Sequence, residues 1–304
     1  MALQINARDV AGYLSFLGFA PSLDPGEHAY LVLAGAELED TGMGSPAFAP
    51  ATATEHEPLV VDLTKARPDY YDDLCLTLTE GGNSPDTISA NRCTVDPGAY
   101  HNHAQGRATL VWGHPHRFIK GQHYGNKKSV LRPKDGKNRY WRDADYDFEH
   151  DPGEGVKTGN GTLLIHAMGG KKIQRWGAGC MGIWAPKNYS DPLWRSWRKD
   201  AYATCKTSGS IQVVIMPASD FARWKRSKNA HKPTLWPGAT GRWVQKLQTQ
   251  LNAAAALIGA ASIKVDGDFG NATTQALLGF QKTVMLTADA VAGPLTWAQL
   301  KRYS

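Results

Sequence analysis

The strongest constraint on the fold is an internal repeat near the C-terminus. The segments VDGDFGNATTQAL, from residue 265, and ADAVAGPLTWAQL, from residue 288, align with a spacing of 23 residues. The alignment pairs Asp266 with Asp289 and Thr273 with Thr296. Each copy predicts a tight turn, for which glycine supplies a positive φ, followed by the start of a helix. The repeat therefore predicts a small helical module.

Apolar residues of this region also follow helical spacing, at Val244, Leu247 and Leu251. The region resembles the peptidoglycan-binding domain of the three-helix type, and the residues that carry the resemblance are Gly241, Val244, Leu247, Gln248, Leu251, Asp266, Gly267, Phe269, Gly270, Thr273, Ala276, Phe280, Gln281, Gly293, Thr296, Trp297 and Leu300. It departs at Ala290 and Ala292, where the family usually keeps more glycine. The resemblance implies docking onto bacterial peptidoglycan, with Asp266, Phe269 and Trp297 as binding residues. The alternative is a small helical bundle with another ligand.

Length and composition limit the rest of the chain. A chain of 304 residues, 42% hydrophobic and with 10 tryptophans, suggests one large or two modest domains with a real core. We expect no membrane insertion, because no apolar run approaches the length of a spanning helix. Arg8 and Asp9 stand where a secretory signal would be apolar, so we expect synthesis in the cytosol. Four scattered cysteines predict no disulfide framework.

Charge is unevenly distributed along the chain. The first 70 residues hold 10 acidic against 3 basic residues, and the remainder holds 31 basic against 18 acidic residues. A basic body suits an anionic polymer such as cell wall or nucleic acid, although a solubilising surface explains the charge equally simply. Residues 223–236 combine a basic run with Pro233, are followed by Pro237, and predict a solvated linker. They lack the interleaved aromatics of a nucleic-acid reader, so we expect no nucleic-acid partner.

The middle of the chain alternates short apolar runs with Gly and Pro. The runs ATLVW, SVLRP, TLLIHAM and IQVVIMP predict strands, whereas ARDVAGYLSFLGF and DPLWRSWRKDAYATC predict helices. The predicted fold class is α+β: a mainly β catalytic domain with a small C-terminal three-helix domain. Four regions are predicted. Residues 1–70 show no clear pattern and are expected to pack on the catalytic domain. The catalytic domain covers residues 71–222, a linker covers 223–236, and the three-helix domain covers 237–304.

One histidine and one cysteine in IHAMGGKKIQRWGAGCMGIW suggest a nucleophile and its base. His166 ends an apolar run and Cys180 follows the small residues Gly177, Ala178 and Gly179. A thiol becomes a useful nucleophile when a base lies within reach, and backbone N–H groups near Gly179 would then hold an oxyanion. The pair would act either through a neutral histidine base or as a preformed thiolate–imidazolium pair. The alternative is a buried structural thiol, as we predict for Cys75, Cys93 and Cys205.

This stretch resembles the L,D-transpeptidase (YkuD-like) family, in which a strand carries a histidine and a Ser-His-Gly-Cys motif follows. His166, Gly179 and Cys180 match, whereas Gly177 and Ala178 replace the motif's serine and histidine. Upstream, the segments DPGAY, GRATLVWG and GQHYGN also resemble the family. The resemblance implies a cysteine peptidase that forms an acyl-enzyme without a cofactor. The substrate would lie near His123, Tyr124, Arg175 and Trp176.

Two metal readings compete with the cysteine mechanism. His101, His103, His114 and His116 form two His-x-His pairs, which place side chains on one strand face as zinc ligands can be. No His–Asp pattern of a wall metallopeptidase accompanies them, so we predict no metal. The acidic segment 143–154 mimics a calcium loop, but Phe148 stands where such a loop needs glycine. A solvated acidic loop is the favoured interpretation.

These patterns together predict a monomeric peptidoglycan hydrolase of the phage endolysin type. It would be made without a signal peptide in the host cytoplasm and would act in the cell wall after release. It would cleave an L,D bond of the peptide stem through an acyl-enzyme. The alternatives are an L,D-transpeptidase that forms cross-links, a zinc-dependent amidase or endopeptidase, and a non-catalytic wall-binding protein.

Overall fold

The structure is a computed structural model. It describes residues 2–20, 23–38, 51–53, 58–63, 71–82, 86–95, 106–123, 125, 127–145, 151, 154–160, 163–170, 173, 179–227, 230–256 and 259–303. Within these residues the strands are β1 (Ala2–Ile5), β2 (His28–Ala34), β3 (Ala36–Leu38), β4 (Ala51–Ala53), β5 (Leu59–Leu63), β6 (Asp73–Thr79), β7 (Thr87–Thr94), β8 (Arg107–Leu110), β9 (Pro115–Gln122), β10 (Ser129–Pro133), β11 (Lys137–Asp143), β12 (Val156–Asn160), β13 (Ile165–Met168), β14 (Met181–Trp184) and β15 (Ile211–Pro217). The helices of the same residues are α1 (Ala7–Leu17), α2 (Pro192–Thr207), α3 (Ala218–Ser227), α4 (Arg242–Ala253), α5 (Asn271–Thr283) and α6 (Pro294–Leu300), with short 3-10 turns at Lys134–Gly136, Asn188–Ser190 and Lys301–Tyr303. The fold is mixed α+β, mostly β up to the C-terminal helices, as predicted.

Eight strands form a barrel-like sheet. Their order is β14, β13, β10, β9, β15, β2, β6 and β7, and β14 also pairs with β7, which closes the ring. The closing pairs are Gly182 with Thr94 and Ile183 with Cys93. Strand β4 extends the sheet beside β7, while β1–β5–β3 and β12–β11–β8 form two separate three-stranded sheets.

The barrel interior is filled by apolar side chains, as expected for eight strands. Phe118, Leu131, Ile165, Ile183 and Val213 share one buried cluster, to which α2 contributes tryptophans. A second cluster lies between the opposite face of the sheet and the helices α1 and α3. Burial on both faces explains why the strand sequences are apolar runs rather than alternating patterns.

The first 70 residues contribute a strand to the barrel rather than only packing against it. Strand β2 pairs in parallel with β15 and antiparallel with β6, and its residues from 29 to 34 are buried. The barrel therefore continues across the boundary predicted at residue 70. Helix α1 begins at a capping box between Asn6 and Asp9 and ends at Gly18, whose φ is 86°.

The described part of the segment predicted as a solvated linker, residues 223–227 and 230–236, contacts the body of the protein. It begins inside α3, and Asp220 of that helix accepts hydrogen bonds from the backbone and side chain of Thr234. Asp220 also accepts from Tyr13 of α1 at 3.0 Å. The buried carboxylate thus ties the stretch after α3 to the body of the protein, which differs from our expectation of a free linker.

The helical module is joined to the barrel unit by polar contacts. Arg139 of β11 forms a two-oxygen salt bridge with Asp268 at 2.8 Å and donates to the carbonyl of Gly238 at 3.0 Å. The indole of Trp141 donates to the carbonyl of Pro237, and the indole of Trp243 donates to that of Phe16. Bidentate Arg–carboxylate contacts add geometric specificity as well as attraction. No helix among the described residues is long and apolar enough to cross a membrane.

Candidate functional site

The pairing of β13 with β14 brings His166 and Cys180 to one face of the barrel. The two strands run parallel, with His166 opposite Gly182, and Cys180 directly precedes β14. Ile165 and Ile183 point into the barrel core, so strand alternation places His166 and Cys180 on the outer face. They lie two positions apart on neighbouring strands, which corresponds to about 8 Å between Cα atoms. That spacing suits two side chains that converge on one substrate.

His166 is buried and held in one tautomer. The residue is 5% exposed, and its Nδ1 lies 2.9 Å from the carbonyl oxygen of Ala167. Since a carbonyl only accepts, Nδ1 carries the proton and Nε2 carries the lone pair of the neutral ring. Burial lowers the pKa of His166 to about 4, against the raising effect of the Ala167 carbonyl, and His123 lowers it further. His166 is therefore a neutral base at physiological pH.

Cys180 is a neutral thiol at physiological pH. Its Sγ accepts a hydrogen bond from the backbone N–H of Leu164 at 3.4 Å. Burial raises the pKa of Cys180 to about 11, although the Leu164 N–H acts in the opposite direction. Of the two states left open by the sequence, the resting site thus favours thiol with imidazole over thiolate with imidazolium.

The backbone conformation and surroundings of position 179 require glycine. Its φ is 126°, and a Cβ at this position would lie 2.1 Å from the carbonyl oxygen of Ala108 in β8. The chain before Cys180 therefore passes directly against β8, where only glycine fits. Glycine at position 179 therefore has a structural reason, whatever its N–H group does in a reaction.

Two rings surround His166. His123, at the end of β9, meets it edge to face with centroids 5.9 Å apart, and Tyr189 lies nearly parallel to it at 6.3 Å. The placement of His123 beside the site was predicted from sequence, while Tyr189 was not. Its only signal was an aromatic residue in the turn after β14. Tyr124, Arg175 and Trp176 lie outside the described residues, as do Gly177 and Ala178.

The other three cysteines are wholly or partly buried. Cys75 and Cys93 are fully buried, and burial raises the pKa of Cys75 to about 12. Cys205 is partly buried and donates from Sγ to the carbonyl of Phe118 at 3.6 Å. All three positions agree with the structural role predicted for them.

His114 and His116 are adjacent but already engaged. Their ring centroids are 4.9 Å apart, His116 donates from Nε2 to the carbonyl of Val111, and Nδ1 of His114 lies 3.0 Å from the hydroxyl of Thr240. Burial lowers the pKa of His114 to about 3 and that of His116 to about 4. In the described part of the chain no third ligand joins them, and His101 and His103 lie outside it.

Three carboxylates of the predicted acidic loop do converge. Asp143, Asp145 and Glu154 bring ligand atoms within 4.8 Å of one another, the single such group among the described residues. Glu154 already accepts backbone N–H groups of Ala144 and Asp151, and Asp143 lies 3.7 Å from Arg107. These contacts organise the loop from within. Phe148 lies outside the described residues.

The buried histidines predict an acid-sensitive fold. His114, His116 and His166 all have folded-state pKa values below the unfolded value near 6.5, so the unfolded chain binds more protons between about pH 6.5 and 4. The free energy of unfolding should therefore rise with pH across this window and be lost as pH falls through it. Urea titrations at pH 4.5, 5.5, 6.5 and 7.5 measure it. A free energy that stays constant from pH 6.5 to 4.5 would contradict the assignment of neutral buried histidines.

The helical module contains the same set of polar contacts twice. Gln248 of α4 donates to Asp266, Thr273 and the carbonyl of Asp268, and it accepts from the N–H of Gly267. Gln281 of α5 makes the equivalent contacts one repeat later, with Asp289, Ala290, Val291 and Thr296. Each buried glutamine thus fastens the turn that starts the following helix. Gly267 and Ala290 occupy equivalent positions with φ of 75° and 57°, so alanine takes up a left-handed conformation in the second copy.

Two of the three predicted binding residues of this module are buried, whereas Asp266 is exposed. Phe269 and Trp297 are 0% and 3% exposed, and the indole of Trp297 donates to the carbonyl of Pro233. Asp266 accepts from Gln248 and from the N–H of Asp268 within its turn. In this conformation the module's own core covers Phe269 completely and leaves only a small part of Trp297 exposed.

Comparison with known proteins places the module in a class. Residues 240–300 match the family model described as "Putative peptidoglycan binding domain". The protein therefore carries a peptidoglycan-binding domain at its C-terminus, which points to association with the cell wall. The sequence-based identification of this domain is confirmed.

One relative extends the comparison. The chain is 34% identical over 94 residues to the "Uncharacterized protein in bpoA1 3'region" of Kitasatospora aureofaciens, which covers 31% of this chain and 74% of that protein. By that identity and coverage, the chain belongs to the same family as the Kitasatospora aureofaciens protein. No solved structure matches the chain.

Proposed function

We propose that the protein is a peptidoglycan peptidase in which Cys180 is the nucleophile and His166 the general base. The observation that carries the proposal is the strand register, which sets Cys180 and a histidine with a bare Nε2 on one face. The peptidoglycan-binding domain supplies the substrate class. The resemblance of the Cys180 segment to L,D-transpeptidases supports cleavage of an L,D bond in the peptide stem.

The neutral resting pair defines the order of events. Nε2 of His166 takes the Cys180 proton as Sγ attacks the peptide carbonyl carbon, and the carbonyl oxygen becomes an oxyanion. The intermediate collapses to a thioester when the imidazolium returns the proton to the leaving amine. Water then attacks the thioester, His166 accepts a proton from it, and the free carboxyl product leaves with the thiol restored.

Mass spectrometry of muropeptides tests this function. The protein is incubated with purified sacculi and with soluble tetrapeptide monomers, each with and without a chelator. Free stem peptides that are insensitive to chelator are expected. New 3→3 dimers would favour an L,D-transpeptidase, loss of activity with chelator a zinc enzyme, and binding without release a non-catalytic wall protein.

The pH dependence of cleavage separates the two states of the pair. With a neutral base, the rate should rise through the His166 pKa of about 4 and be level from about pH 6 to 8. A preformed ion pair would instead give a rate that falls when the imidazolium deprotonates near neutral pH. kcat/KM on a soluble muropeptide is the measurement, because it avoids changes in wall charge. A bell-shaped profile of kcat/KM against pH, centred below pH 7, would contradict the assignment of a neutral thiol and a neutral imidazole.

The place of action belongs to the same proposal. A peptidoglycan peptidase acts at the bacterial cell wall. The hypothesis of a phage lytic enzyme, made in the host and acting after release, is tested by turbidity loss when the protein is added to permeabilised cells. We also propose that it acts as a monomer.

A further inference from the structure

A cationic cavity lies where α3 and the segment after it meet the helical module. Its volume is ≈ 830 Å³, which is within the usual range of ligand sites. Five of its lining residues are Lys or Arg and none is Asp or Glu: Arg223, Arg226, Lys232, Lys246 and Lys301. The cations come from α3, from the segment after it, from α4 and from the C-terminal turn, so positive charge surrounds the cavity on several sides.

A buried carboxylate holds one side of the cavity in place. Asp220 is fully buried and accepts from Arg223 at 2.7 Å, from His231 at 3.1 Å and from Thr234 at 3.0 Å. The Asp220 carboxylate, which orients this side of the cavity, is therefore occupied by hydrogen bonds within the protein. Nε of Arg223 is buried and has no hydrogen-bond partner among the described residues. The side chain of Arg223 is nevertheless 39% exposed and lines the cavity, so its charge is available to an anionic ligand.

The opposite side combines apolar and cationic surface. Pro294, Trp297 and Ala298 line it, and the ammonium of Lys232 lies over the Trp297 ring at 4.9 Å. Burial lowers the pKa of Lys232, and the neighbouring charges of Lys246 and Lys301 lower it further. Cations that disfavour one another's charge gain from an anion placed between them.

We propose that this cavity binds the carboxylates of peptidoglycan peptide stems and so forms the wall-recognition subsite of the protein. Carboxylates on the stems are the anionic groups of peptidoglycan, and several cations at separated positions fit a ligand with more than one of them. The proposal rests on the proposed peptidoglycan-directed function. Of the aromatic residues predicted to bind the wall, Trp297 lines this cavity, whereas Phe269 is fully buried.

Charge reversal in the full-length protein tests the subsite. Lys246→Glu with Lys301→Glu changes two exposed residues of the cavity, and Lys206→Glu with Lys282→Glu is a control of equal charge whose residues are exposed and do not line it. Binding is measured on sacculi stripped of other polymers, and on the same sacculi with their carboxyls converted to amides. The cavity variant should bind stripped sacculi about tenfold more weakly than wild type, and the control less than about threefold. Amidation should weaken wild type to a similar extent.

Several results would overturn the proposal. They are equal weakening by both variants, undiminished binding to amidated sacculi, or wild-type binding only before phosphate-bearing polymers are stripped. Failure of the proposed chemistry is distinguishable, because cleavage of soluble muropeptides is measured separately. Wild type that binds sacculi and loses this binding in the cavity variant supports the subsite even if no peptide is released.

Discussion

Replacing Cys180 with alanine should abolish release of peptides from peptidoglycan, with a loss of about 10⁴-fold or more in kcat/KM. The reason is that the general base has no proton to take and no acyl-enzyme forms. Binding to sacculi should be unchanged, because the residue lies on the barrel and not in the helical module. The measurement is stem-peptide release from soluble muropeptides, followed by mass spectrometry.

The matched control is Cys205→Ala, which removes another partly buried thiol and should keep full activity. Cys180 packs beside Met168, Ile173 and Trp184, so its truncation should lower the free energy of unfolding by only about 1 kcal/mol. Thermal unfolding confirms that each variant is folded. Wild-type activity in the Cys180 variant would end the cysteine mechanism and favour the zinc alternative.

Gln248→Leu should lower the free energy of unfolding of the helical module by about 4 kcal/mol. The leucine would leave the N–H of Gly267 without its acceptor and remove donors from Asp266 and Thr273 in a buried site. Gln281→Leu should cost a similar amount, since Gln281 makes the same set of contacts in the second copy. Urea unfolding followed by tryptophan fluorescence measures both.

Gln275→Leu is the control for this pair. Gln275 is exposed on α5, and its replacement should change stability by less than about 0.5 kcal/mol. If all three variants lost the same stability, the cost would come from leucine on the helices rather than from the glutamine contacts. A loss of stability confined to the Gln248 and Gln281 variants would show that the two copies of the repeat stabilise the module through the same glutamine contacts.

Local patterns predicted some features because their causes are local. The C-terminal repeat encodes turns and helix starts within a few residues, so the module and its equivalent positions were legible. The roles of His166 as base and Cys180 as nucleophile were predicted from a strand ending and a glycine turn, and they stay a prediction. Gly179 shows the limit: sequence marked it as small, but its close approach to Ala108 depends on a strand about 70 residues earlier in the chain.

Features that depend on long-range contacts were not predictable in this way. The place of strand β2 in a barrel could not be predicted, because both its neighbours, β6 and β15, lie far along the chain. The basic segment after α3 suggested a free linker, since no local signal shows that Asp220 lies buried beneath it. Phe269 and Trp297 were predicted to bind the wall because they are aromatic residues of a binding family, but their burial depends on packing between helices that the local sequence does not reveal.

The joint between barrel and module bears on how such proteins can be recombined. Arg139 and Trp141 of β11 reach Asp268 and Pro237, and Trp112 packs edge to face on Trp236. A foreign C-terminal domain grafted in place of this module would leave a guanidinium without its carboxylate and two indoles facing water. Chimeras of this protein should therefore express poorly unless the graft carries the matching acid or the barrel surface is redesigned with it. Lineages that exchanged such domains would have had to exchange the acceptor surface as well.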